Sequence, residues 1–113
     1  MAPLRTALTD ALGLDVPIVQ APIGSATCPA LAAAVADAGG LGMVAVTWRD
    51  RAQTRAVLAD TKRRTDGVVG VNIVADSNAK EIPTETHVEV CLDEGVRVFS
   101  FSFGEATPYV EQI

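Results

Sequence analysis

The chain has 113 residues, 49% of them hydrophobic, and a formal net charge of -5. That composition belongs to a folded globular protein rather than a disordered one, and the length predicts one small domain. The acidic balance argues against a nucleic-acid partner, which needs clustered Lys and Arg to replace counterions on phosphates. The one basic cluster, Lys62-Arg63-Arg64, is expected instead at a helix C-terminus, where it complements the helix dipole. No apolar run approaches the ~20 residues needed to cross a bilayer, and the N-terminus lacks the pattern of a signal peptide, so a cytoplasmic location is expected. Cys28 and Cys91 form no CxxC pattern, which predicts neither a disulfide framework nor a metal site.

In chain order, Leu4, Ala7, Leu8, Ala11 and Leu12 have the spacing of one helical face and predict a leading helix from Pro3 to Gly13. Pro17 to Ala21 is a short apolar run bounded by prolines, the signature of a strand buried on both faces in a helix-covered parallel sheet. A small-residue loop follows, and Pro29 then opens an Ala-rich helix to Ala38. Gly39-Gly40-Leu41-Gly42 closes that helix and opens the strand Leu41 to Val46. A phosphate-binding glycine loop would have the opposite order, so Gly39 is read as a helix cap with positive φ. Asp50 and Gln53 make a capping box for a helix to about Arg64, with Ala52, Ala56, Val57 and Ala59 inward and Leu58 at the edge. Trp48, in the loop before it, could wall a pocket or simply cover a core edge.

The third strand, Val68 to Val74, carries Asn72 among apolar neighbours near its end. A loop from Ala75 to Pro83 leads to a helix at about Thr84 to Glu94, with Val88, Cys91 and Leu92 inward. The fourth strand is Arg97 to Phe101, followed by Ser102-Phe103-Gly104. Thr107 is read as an N-cap with Pro108 at the first helical position. Strand starts at 17, 41, 68 and 97 repeat at the interval of a strand–helix unit. About four such units and a leading helix make the N-terminal half of a TIM (β/α)8 barrel with parallel strands. A complete barrel needs ~250 residues, so residues 1–113 are read as one truncated barrel domain. In such folds ligands bind beyond the strand C-termini, which draws attention to the exit of the first strand.

Four blocks carry a family resemblance: Pro17-Ile18-Val19-Gln20-Ala21-Pro22, the run Ala32 to Gly42, Gly70-Val71-Asn72, and Val98-Phe99-Ser100-Phe101-Ser102-Phe103-Gly104. In this order they resemble the N-terminal part of the nitronate monooxygenase family, formerly the 2-nitropropane dioxygenases. The resemblance implies a TIM barrel holding FMN and a parent enzyme that oxidises an alkyl nitronate with O₂ to a carbonyl compound and nitrite. It places Ala21, Pro22 and Ile23 against the flavin through backbone groups, with Gly24 next in the loop. The family usually has Met where this chain has Ile23. Asn72 would hydrogen-bond the cofactor, and Ser102 would line the exit of the fourth strand. An amide among apolar residues needs partners for its donors and acceptor, which agrees; capping its own loop is the plain alternative for Asn72.

The family's phosphate-binding glycine loops and active-site His belong to later units, so no catalytic residue is assigned. His87 is read as a solvated residue on the outside of the barrel. An FMN-dependent enoyl reductase of the same barrel group shares the Pro-Ile-Val-Gln opening and the Ala-Gly-Gly-Leu-Gly block. An inactive half-barrel is the remaining alternative, and its unpaired first and fourth strands predict self-association.

Overall fold

The computed structural model describes residues 4–75 and 82–113. A loop predicted from Ala75 to Pro83 lies largely outside them. The elements are α1 (Ala7–Leu12), α2 (Pro29–Asp37), β1 (Gly42–Ala45), α3 (Arg51–Arg64), β2 (Val69–Val74), α4 (Thr84–Asp93) and β3 (Phe99–Ser102). Short 3-10 turns span Gly24–Ala26 and Thr107–Tyr109.

Among the described residues the strands form one parallel sheet in the order β1-β2-β3. Ahead of β1, Val19 forms a single parallel bridge to Leu41. Four strand positions therefore lie side by side in chain order. Helix α2 packs on α3, and α3 on α4, in the same order. A doubly wound sheet would reverse its strand order and carry helices on both faces. Consecutive parallel neighbours backed by one layer of sequential helices are the N-terminal units of a TIM (β/α)8 barrel.

Side-chain alternation separates the two faces of the sheet. Val44, Val46, Val71 and Ile73 meet Ala32, Val57, Leu58, Val88 and Cys91 of the helices, with Phe99 and Phe101 against the same cluster. The opposite face holds Met43, Ala45, Asn72, Ser100 and Ser102. Below it, Leu12 and Leu14 pack with Leu41, Met43, Val68 and Val98. Residues 41, 68 and 98 stand at the strand entrances, so α1 and the turn after it close that end.

Close approach of α2 to the sheet depends on small residues. Ala32, Ala33 and Ala36 are buried, and a Cβ at Gly42 would lie 2.0 Å from the Ala32 carbonyl oxygen. Gly39, at φ 92, turns the chain out of α2.

Several elements depart from the sequence expectation. Helix α1 starts only at Ala7, because Thr6 and Thr9 form a reciprocal cap (2.8 and 3.2 Å). Leu4 and Leu8 are exposed, and Thr9 is the buried member of the helix. The first strand is reduced to its one bridge, held by Leu41 N–H to Ile18 C=O (2.9 Å) and Gln20 N–H to Leu41 C=O (3.0 Å). Ile18 is 60% exposed and Val19 46%. They sit on the sheet edge with no described strand beyond them, so burial on both faces does not occur.

The capping box of α3 is formed as expected (Gln53 N–H to Asp50 Oδ1, 2.8 Å; Asp50 N–H to Gln53 Oε1, 3.0 Å). Its buried face, however, is Thr54, Val57, Leu58 and Thr61 rather than the alanines. A threonine methyl fills core space well, and the Thr61 hydroxyl is satisfied by donating to Val57 C=O (2.7 Å).

Strand β3 begins at Phe99 rather than Arg97. Thr107 lies inside a 3-10 turn capped by Ala106, and its hydroxyl donates to Glu105 Oε2 (3.3 Å) instead of capping a helix. That turn buries Tyr109, which stacks on Phe101 with ring centroids 5.7 Å apart and donates its hydroxyl to Glu85 Oε1 (3.0 Å). His87 is not solvated. It is fully buried in α4, with Nε2 3.0 Å from the Arg49 carbonyl oxygen. Its turn of α4 faces the loop that follows β1, and a histidine there buries its ring while satisfying a backbone carbonyl.

Candidate functional site

At the far end of the sheet's helix-free face, parallel register sets Ala45 of β1 opposite Asn72 of β2, and Asn72 opposite Ser100 of β3. Asn72 is only 6% exposed. Its Nδ2 lies 2.8 Å from Ser100 Oγ, 3.0 Å from Ser102 Oγ and 3.3 Å from the Ser100 carbonyl oxygen. Strand geometry dictates this cluster, because serines two residues apart on β3 point to the same face. Among the described residues nothing donates to Asn72 Oδ1, an oxygen that keeps some exposure at the surface of the sheet.

The strand exits are tied together just above this row. Val74 N–H donates to the buried Thr47 hydroxyl (2.8 Å), and Ala75 N–H donates to Ser102 C=O (2.7 Å). Gln20 bridges the first strand position to β1, with Nε2 donating to Met43 C=O (3.1 Å) and Oε1 accepting from Met43 N–H (3.4 Å).

Residues 21–24 leave the first strand position beside β1. Ile23 N–H donates to Ala21 C=O (3.0 Å), and Ile23 C=O accepts from both the N–H and the hydroxyl of Thr27 (2.9 Å each). The Ile23 amide is thus already engaged, while its side chain stands exposed. Pro22 and Gly24 are half-buried and Ala21 is exposed. A cavity of about 210 Å³ lies between this loop and the loop after β1, lined by Gly24, Ser25, Ala45, Trp48, Arg49 and Gln53. Because Ala45 stands opposite Asn72, Gly24 and the Asn72–Ser100–Ser102 cluster lie at the same end of the sheet.

Ser100 lies in the block that carries the resemblance and joins Ser102 here, whereas Arg49 was not among the residues expected to form the site. Ser100 was detectable from its place two positions before Ser102 on a strand. Arg49 had a weaker signal, as a basic residue directly after a strand exit. Among the described residues no His, Cys, Asp and Glu cluster could hold a metal ion, and no helix is long and apolar enough to cross a membrane. Cys91 is buried, and burial followed by the nearby Glu94 charge pushes its thiol up to about 12, the behaviour of an inert core cysteine.

This architecture defines a β/α-barrel protein, a class whose ligand sites lie beyond the strand C-termini, and that end of this sheet presents amide, hydroxyl and backbone groups. A family model described as nitronate monooxygenase matches residues 5–85, and the chain belongs to that family. A Rhodococcus jostii relative named (3aS,4S,5R,7aS)-5-hydroxy-7a-methyl-1-oxo-octahydro-1H-indene-4-carboxyl-CoA dehydrogenase is 39% identical over 90% of this chain and 28% of its own length. A nitronate monooxygenase of Paraburkholderia phytofirmans is 42% identical over 61% of this chain and 19% of its own length. The structure of FabK from Thermotoga maritima superposes with a TM-score of 0.88 and 34% identity, covering 96% of this chain and 34% of that one. The chain therefore spans about a third or less of each of these proteins.

Proposed function

We infer that residues 1–113 supply the first β/α units of an FMN-dependent oxidoreductase, with Ala21, Pro22, Ile23, Gly24, Asn72 and Ser102 on the flavin side of the rim. The observation that carries this is the Asn72 amide: nearly buried, oriented by two serine hydroxyls, and with a carbonyl oxygen that no described residue donates to. A buried amide with one free acceptor suits the N–H edge of a flavin ring. Bound FMN would supply the electron transfer, while the protein orients the ring and excludes water. Ser100 and Ser102 hold the Asn72 rotamer, and the cap around Thr27 shapes the loop through Ile23.

The leading reaction is oxidation of an alkyl nitronate by O₂ to a carbonyl compound and nitrite, supported by the family to which the chain belongs. A second reading is oxidation of a CoA thioester. It is favoured because the relative that aligns with the larger share of this chain is named as a carboxyl-CoA dehydrogenase. An FMN-dependent enoyl reductase and an inactive half-barrel are the remaining alternatives.

Flavin absorbance of the purified chain, as isolated and after addition of FMN, tests the cofactor assignment. Saturable binding that falls about tenfold in Asn72→Ala is expected, because a hydrogen bond to a buried polar group is lost. An Asn72→Ala variant with unchanged uptake would overturn it, whereas a folded wild-type chain that takes up no FMN would favour the inactive half-barrel. Oxygen uptake with an alkyl nitronate separates the first reaction from flavin bleaching by an acyl-CoA, which marks the second. The exposed edge at Ile18 and Val19 is further expected to drive self-association, which sedimentation velocity measures.

A further inference from the structure

We propose that the cavity walled by Trp48 and Arg49 holds the phosphate-bearing adenosine end of a second ligand, the moiety shared by CoA thioesters and NADPH.

Arg49 is unusual for its chain. Arg5, Arg51, Arg55, Lys62, Arg63 and Arg64 each pair with a carboxylate. Among the described residues Arg49 and Arg97 enter no ion pair, and Arg97 lies at the opposite end of the sheet, ahead of β3. An uncompensated guanidinium in a chain of net charge -5 leaves a local positive site at the strand exits.

The arginine is also held in place. Its N–H donates to Val46 C=O (3.0 Å), its C=O accepts from buried His87 (3.0 Å), and its Nε donates to Ala45 C=O (3.3 Å). With Nε anchored, the two terminal nitrogens of the fork remain for an anion, and a planar fork suits two oxygens of a phosphate. Trp48, 56% exposed, offers an indole face in the same cavity, and bases of any identity stack on such faces. Gln53 uses Oε1 in the helix cap, which leaves its NH₂ as a donor beside the hydroxyl of Ser25. A planar cation, an aromatic face and amide and hydroxyl donors in one cavity match a phosphorylated nucleoside better than a small alkyl substrate.

This inference goes beyond the flavin assignment; the cavity borders the proposed flavin rim through Gly24, but the groups that would hold the ligand, Arg49, Trp48, Gln53 and Ser25, are not among the residues placed on the flavin side. Trp48 is the chain's single tryptophan, so its emission reports on the cavity directly. CoA and NADPH titrated separately into the full chain are expected to quench it saturably, with affinity that weakens as salt rises. A response to CoA alone identifies the thioester source, one to NADPH alone the pyridine nucleotide, and equal responses the shared moiety; each supports the proposal. Arg49→Gln, checked as folded by circular dichroism, is expected to weaken binding about tenfold or more. Emission unchanged by both ligands, binding insensitive to salt, or unaltered affinity in Arg49→Gln would overturn it. So would a response to FMN alone, which would assign the cavity to the flavin site. Flavin uptake is read by absorbance, so the two assignments can fail separately.

Discussion

His87 Nε2 and the carbonyl oxygen of Arg49 lie 3.0 Å apart, joining α4 to the loop after β1 across 38 positions of sequence. A carbonyl only accepts, so Nε2 carries the proton. Replacing His87 by Leu keeps much of the buried volume but leaves the carbonyl without this donor. A stability loss of about 1–3 kcal/mol is expected, measured as a lower urea midpoint with an unchanged slope. His87→Gln, which can present a side-chain N–H, should recover part of it. Equal midpoints for wild type and His87→Leu would remove the bond from any structural role.

Gly42→Ala should be far more damaging than its size suggests. The added carbon would stand 2.0 Å from the Ala32 carbonyl oxygen, a backbone atom that cannot rotate away. Moving α2 off the sheet would open the packing around fully buried Ala32, so a loss of about 3 kcal/mol or more is expected. Thermal unfolding checks this, and a melting temperature within a degree or so of wild type would contradict the close packing described.

Thr54 offers the opposite case. Its hydroxyl is completely buried in α3 and has no hydrogen-bond partner among the described residues. Thr54→Val keeps the shape and removes the unsatisfied group, so stability should rise by about 1 kcal/mol. Calorimetry of the two proteins gives the sign directly.

The two thiols should behave differently toward a water-soluble disulfide reagent. Cys28 is exposed and should react in the native state, whereas Cys91 should react only after unfolding. Burial raises Cys91 from an ordinary 9.0 to about 12. Between these values the unfolded chain has lost the proton and the folded chain keeps it. Stability is therefore fully present below about pH 9 and falls as pH climbs toward 12. Tyr109, raised by burial and then by its bond to Glu85, acts in the same direction. Alkaline denaturation of Cys91→Ala should be shallower than that of the wild type; parallel curves would assign the alkaline loss to other groups.

Much of the architecture was legible in the sequence because its signals are local. Proline at a helix start, the Asp50–Gln53 cap, glycine after α2 and apolar runs at regular intervals each act through a few neighbouring residues, and the barrel order follows from their repetition. The resemblance carried by residues 17–22, 32–42, 70–72 and 98–104 indicated the family for a similar reason, since those blocks fall at strand and helix ends.

Which face a residue occupies depends on what packs against it, and there local pattern misled. Threonines 54 and 61 lie inward on α3, where a count of apolar letters selects alanines. The run from Pro17 to Ala21 resembles a central strand but lies on an edge, because burial is decided by neighbours and not by composition. His87 reads as a surface residue until α4 is laid against the loop carrying Arg49. The sequence by itself determined the order of the elements, the kind of most of them, and the row in which Asn72 stands. Only the tertiary structure decided that Asn72 meets Ser100 and Ser102, and that a buried histidine holds an unpaired arginine at the strand exits. Both are contacts between residues some thirty or more positions apart, which pairing and packing create and no local propensity encodes.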